Sequence, residues 1–123
     1  MKIRIKGNSL RIRLTRPEVD RFAETGYLEE ITEFGDHSFI YALQSMEGIP
    51  GLEADFEDHK MTMYVPSNIP EVWAKNETVG YENNMDIGND RHLFLLLEKD
   101  FKCIDAPAHE DQSDNFENPH KVC

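Results

Sequence analysis

The sequence predicts an α+β domain: a duplicated ββαββ unit giving about eight antiparallel strands in a curled sheet or barrel, with two short helices. Three observations predict it. The opening MKIRIKGNSLRIRLT alternates bases with Ile3, Ile5, Leu10, Ile12 and Leu14, the two-residue period of half-buried strands. A helix with clear start and stop signals follows it. The residues around that helix then recur in the second half of the chain.

The first hairpin is fixed by its turn. With the turn at Gly7 and Asn8, where glycine supplies a positive φ, Ile5 pairs with Leu10 and Ile3 with Ile12. The same register sets Arg4 opposite Arg11 and Lys2 opposite Arg13, and a turn moved to Asn8 and Ser9 keeps the same faces. Like charges across a ladder repel, so this face is expected to meet something negative. Thr15 then caps a helix, Pro17 sits in its first turn, and Glu18 completes a Thr-x-x-Glu capping box. Val19, Phe22 and Ala23 form its buried stripe and Gly26 stops it. Two strands, Tyr27 to Phe34 and Ser38 to Leu43, follow around Gly35, Asp36 and His37.

That order appears twice. Pro17, Glu18 and Val19 match Pro70, Glu71 and Val72, and Glu24, Thr25, Gly26 and Tyr27 match Glu77, Thr78, Gly80 and Tyr81 with Val79 inserted. Ahead of the second helix, Glu53 to Val65 reads as a hairpin turning near Asp58 and His59, with Ala54, Phe56, Met61, Met63 and Val65 on one face. Behind it, Val79 to Ile87 and Arg91 to Lys99 read as two strands. Leu93 to Leu97 is apolar on both faces, which places it centrally. Trp73 reads as a core or groove anchor on the second helix. The domain therefore spans residues 1–104, in repeats of about 1–48 and 49–104, with an acidic extended tail over 105–123.

Charge divides along the chain. The first sixteen residues hold six bases and no acid, while the rest carries all 24 carboxylates against seven bases, for a net −11. Such a surface repels nucleic acid and anionic membrane, so neither is expected as a partner. The longest apolar run, Leu93 to Leu97, is far short of a membrane span, and the N-terminus has no signal-peptide pattern. The expected location is cytoplasmic, with the two cysteines as thiols. Gly-rich phosphate loops, His-Glu-x-x-His and Gly-x-Ser-x-Gly are absent, so nucleophilic catalysis has no candidate.

The candidate site is the cationic face of Lys2, Arg4, Lys6, Arg11 and Arg13, where guanidinium groups can take oxyanions bidentately. Glu53, Asp55 and Glu57 repeat its spacing with opposite sign on the second hairpin. Two readings follow. The faces neutralise each other or are simply solvated, and so hold the register of a sheet. Alternatively they line one cavity, with the bases on phosphate or carboxylate and the acids on Mg²⁺ or Mn²⁺. The function expected is a non-enzymatic binding domain for an anionic small molecule or protein partner. The alternative is a metal-dependent phosphoanhydride hydrolase.

Eight strands and two helices in a repeated unit are similar in outline to the triphosphate tunnel (CYTH) fold. That resemblance implies a barrel lumen with bases for polyphosphate and acids for metal. The chain lacks that family's initial Glu-x-Glu-x-Lys strand and offers only Glu53, Asp55 and Glu57 in its place. More closely, MKIRIKGNSLRIRLT, PEVDRFAETG and a tail with Asp114-Asn115-Phe116 and Asn118-Pro119 resemble a family of small bacterial proteins of unknown function. That likeness implies a bacterial cytoplasmic protein and carries no site residue. In the tail, Cys103, His109, His120 and Cys123 are possible soft-metal ligands, but Cys-x5-His-x10-His-x2-Cys fits no standard zinc spacing.

Overall fold

The computed structural model describes residues 1–100. Eight strands and two helices follow in the order β1 (Lys2–Lys6), β2 (Ser9–Leu14), α1 (Arg16–Thr25), β3 (Tyr27–Glu33), β4 (Ser38–Met46), β5 (Glu53–Glu57), β6 (Lys60–Pro66), α2 (Pro70–Lys75), β7 (Gly80–Gly88) and β8 (Arg91–Lys99). The tail, and with it Cys103, His109, His120 and Cys123, lies outside the described residues.

Local chemistry sets each turn and cap. Gly7 (φ 54°) turns β1 into β2 with the expected register, Arg4 opposite Arg11 and Lys2 opposite Arg13. Asp58 and His59 both take positive φ between β5 and β6, as do Asn89 and Asp90 between β7 and β8. Two consecutive positive-φ residues match the right-handed twist of the strands they join. In α1, Thr15 is extended, its N–H donates to Glu18 Oε1 at 2.8 Å, and Glu18 closes the capping box. Gly26 ends α1 in the left-handed region, its N–H donating to the Phe22 carbonyl at 2.8 Å. The shorter α2 opens on Pro70 and buries Trp73 completely. Trp73 Nε1 donates to the Thr78 carbonyl at 2.9 Å and its ring stands edge-on to Tyr81, with centroids 5.7 Å apart.

The strands form two four-stranded sheets, ordered β1-β2-β8-β7 and β3-β4-β6-β5, and no closed barrel. Each sheet is mixed rather than antiparallel. β2 runs parallel to β8 and β4 parallel to β6, and only the outer pairs are hairpins. Chain path explains the difference. In the first sheet α1 and α2 carry the chain away and back, which sets the last hairpin beside the first; in the second sheet the 47–52 connection sets the β5–β6 hairpin beside β3–β4, and in both sheets the turns fall at the same end. Leu95 and Leu97 are buried in β8, which lies between β2 and β7 as its apolar run requires.

One core joins the inner faces. Leu10, Ile12, Leu14, Leu95 and Leu97 from the first sheet cluster with Leu28, Leu43, Met61, Met63 and Val65 from the second. Val19 and Phe22 of α1 and Trp73 of α2 close one end of that cluster, where the two helices pack together. Burying a side chain of this size contributes roughly 1.5–3 kcal/mol, so this cluster is the main source of stability.

The two sheets share one pattern. Advancing every strand by four in cyclic order converts the first sheet into the second, and the parallel ladders correspond, Ser9 opposite Phe94 and Lys60 opposite Ile40 at their starts. The matched residues do not follow this equivalence. Val19 is 4% exposed and Val72 57%. Tyr27 bonds Glu29 on an outer face, whereas Tyr81 packs on Trp73. Gly26 is a left-handed cap, whereas a Cβ on Gly80 would lie 2.2 Å from the Leu97 carbonyl oxygen. Only the proline-led first turn is common to both helices; the other matched residues stand in different settings and do not confirm a duplication.

This difference is measurable. Gly80→Ala is expected to cost on the order of 2–3 kcal/mol, because the backbone of β8 must move. Gly26→Ala is expected to cost about 1 kcal/mol, the conformational term alone. Urea unfolding of both variants checks this, and equal losses would restore the equivalence of the two glycines.

Candidate functional site: the basic outer face of the first sheet

Pairing places the charges in rows across the outer face of the first sheet. One row is Lys6, Ser9, Phe94 and Asn84; the next is Arg4, Arg11, Leu96 and Glu82; the third is Lys2, Arg13, Glu98 and Gly80. The face therefore grades from cationic on β1 and β2, through apolar on β8, to polar and acidic on β7. Asn8 stitches the hairpin to β8, its Nδ2 donating to the His92 carbonyl at 2.6 Å and its carbonyl accepting from Phe94 N–H at 3.1 Å.

The cations fall into two groups. Arg11 and Arg13 share Glu98: Arg11 Nε and Nη2 reach its Oε1 at 2.9 and 2.8 Å, and Arg13 Nε reaches it at 3.3 Å. Lys2 Nζ pairs with Asp100 at 3.0 Å. Arg4 and Lys6 have no ion-pair partner among the described residues. These two cations line a shallow depression of about 270 Å³ with Ser9, Arg11, Phe94 and Leu96. Burial pushes the Glu98 carboxyl up, but the hydrogen bonds and charges of Arg11 and Arg13 outweigh it and hold the group below its usual range.

The carboxylates of the second hairpin lie elsewhere. Glu53, Asp55 and Glu57 pair with Tyr64, Thr62 and Lys60 on the outer face of the second sheet, along its edge strand. The basic and acidic rows thus belong to different sheets and line no common cavity. Asp55 accepts from the Tyr64 hydroxyl at 3.2 Å. Lys60 turns to the opposite edge, donating to the Tyr27 hydroxyl at 2.7 Å with Glu29 at 3.6 Å, and the Tyr27 bond is the main cause of its raised pKa. Alternate residues of a strand sit about 6.6 Å apart. Accordingly, no three His, Cys, Asp or Glu side chains among the described residues form a group that could hold a metal ion.

A larger cavity of about 520 Å³ lies beside the helices, lined by Leu14, Arg16, Val19, Asp20, Lys99 and Asp100 among others. Its rim carries the last described residue, and no site is assigned to it. Sequence reasoning missed Glu98 as the partner of Arg11 and Arg13, and Phe94 and Leu96 as the floor beside Arg4. The signal for both is the parallel alignment of β2 with β8, which no local pattern encodes.

The chain belongs to a family of unknown function, DUF7009, whose model matches residues 1–120. No curated protein and no solved structure matches it. A likeness to the triphosphate tunnel fold is not found, in keeping with two sheets that do not close. No helix among the described residues is long and apolar enough to cross a membrane.

The Glu98 pairing sets a pH dependence. Its folded pKa lies below the unfolded value of about 4.5, so its contribution is complete above that pH and is lost as pH falls through the folded value. Glu98→Gln is expected to destabilise by about 1 kcal/mol at pH 7, a figure reduced for partial exposure. The gap from wild type should close as pH drops below 4.5, and urea midpoints across pH 7 to 3 would show it. A gap independent of pH would mean that the arginines do not bind Glu98 as an anion.

Proposed function

We propose that this chain is a non-enzymatic binding domain that takes carboxylate- or phosphate-bearing ligands on the outer face of β1 and β2. One observation carries the reading: Arg4 and Lys6 lie beside the apolar surface of Phe94 and Leu96 with no counter-ion among the described residues. Guanidinium groups favour planar oxyanions, and the adjoining apolar floor adds contact for a ligand's carbon skeleton. Ser9, the hydroxyl in the lining, donates to the Lys6 carbonyl at 2.7 Å, which holds it beside the cations. The matching order of the two sheets supports descent from a duplicated ββαββ unit whose hairpin faces diverged to opposite charge.

Glu98 is the internal competitor of any bound anion, because it already occupies Arg11 and Arg13. Isothermal titration with phosphate, triphosphate, citrate and nucleotides, without metal, tests the reading. Arg4→Ala is expected to weaken binding about tenfold, the loss of one charged hydrogen bond. Glu98→Gln is expected to tighten it several-fold by releasing two guanidinium groups. Binding that requires Mg²⁺ or Mn²⁺ and is followed by release of phosphate would sink the binding domain in favour of the hydrolase.

A further inference from the structure

Each sheet ends in two edge strands, and their charges are not alike. β3, β5 and β7 carry carboxylates on their outer faces, Glu29 and Glu82 among them, whereas β1 carries only cations there. Edge strands present unpaired N–H and C=O groups, and like charge is a standard way of keeping two edges apart. By that rule two acidic edges from different copies repel each other, and so do two β1 edges. β1 against an acidic edge is the pairing that charge allows.

Among the acidic edges β5 is the counterpart of β1. Both strands have five residues, both are hairpin partners of the parallel centre, and within the described residues β1 pairs only with β2 and β5 only with β6. Each carries three charges at alternate positions on its outer face. Laid antiparallel, they set Lys2, Arg4 and Lys6 opposite Glu57, Asp55 and Glu53. Directly paired residues lie on the same side of a sheet, so all three pairs form on one continuous outer surface. Within one molecule the rows cannot meet, because they belong to the edges of different sheets.

We infer that a second copy of this chain is a partner of the basic face, docking by antiparallel addition of its β5 to the free edge of β1. The inference rests on the anion-binding reading of that face and names the carboxylates that fill it. Main-chain hydrogen bonds supply attraction and the charge rows fix direction and register. The contact is heterologous, β1 of one copy on β5 of the next, so each copy keeps a second edge for a further copy and the pairing repeats around a closed assembly or along a chain of copies. Five-residue edges bury little surface, so the association is weak and reversible.

Sedimentation of the full chain tests it. The mass of wild type should rise above 14.3 kDa with concentration up to about 1 mM, the range in which small interfaces populate. Arg4→Glu and Asp55→Arg should each remain monomeric with unchanged circular dichroism. An equimolar mixture of the two should associate again, because the unchanged β1 of Asp55→Arg meets the unchanged β5 of Arg4→Glu, and the two reversed charges complement each other at the altered edges. A monomeric wild type, variants that associate as wild type does, or a mixture that stays monomeric would each overturn the inference. Asp55→Arg should bind phosphate or citrate as wild type does. A monomeric wild type that still binds phosphate or citrate would overturn this inference and leave the binding reading standing, whereas failure of wild type and Asp55→Arg alike to bind either anion would overturn the binding reading.

Discussion

The structure depends on two parallel seams, β2 against β8 and β6 against β4. Each joins strands from opposite halves of the chain and lies at the centre of its sheet. Ile12, Leu14, Leu95 and Leu97 on one seam and Leu43, Met63 and Val65 on the other are fully buried. An isolated hairpin is marginal in water. The hairpins are local and cheap to close, and the β6–β4 seam closes through the short 47–52 connection, but the β2–β8 seam forms only when both helices have carried the chain across. Most of the chain is then placed before that seam rewards it, which favours cooperative formation of the whole domain.

The same seams sort the charges. In the first sheet the register brings Glu98 beside Arg13 and leaves Arg4 one strand further out, beyond its reach. In the second sheet the corresponding strip holds Thr62 and Ala42, both buried among larger neighbours. There Tyr27, Lys60 and Glu29 form a small hydrogen-bonded group at one edge, while the β5 carboxylates stand at the other. One backbone pattern thus presents a partly neutralised cationic face on one side of the domain and an acidic face on the other.

Much of the fold was legible because it is local. The period-two alternation gave the strands, Thr15, Glu18 and Gly26 gave α1 its ends, and the turn residues gave the hairpin registers. Trp73 was readable as an anchor for the same reason. What stayed hidden is non-local. Alternation says which face of a strand is buried, but not which strand lies beside it or in what direction, so the antiparallel sheet it predicts is in fact two mixed ones. The repeated Pro-Glu-Val and Gly-Tyr segments are short, and only the proline-led helix start serves the same purpose in both places. The site was half legible: its cations are a sequence feature, but Glu98, Phe94 and Leu96 join them only through the parallel seam.

All four hairpin turns lie at one end of the domain, and the two helices and the 47–52 connection lie at the other. The helix end is held by Phe22, Trp73 and the packing of α1 on α2, so a change of length there must be absorbed by the core. The turn end has no such duty. Its tips, at Gly7, Gly35, Asp58 and Asn89, reverse the chain within one sheet, and doubling a flexible loop costs only about 0.6 kcal/mol. Evolution and the protein engineer therefore find the same asymmetry: one pole where segments can be lengthened or grafted while the architecture stands, and an opposite pole where sequence length is fixed by packing.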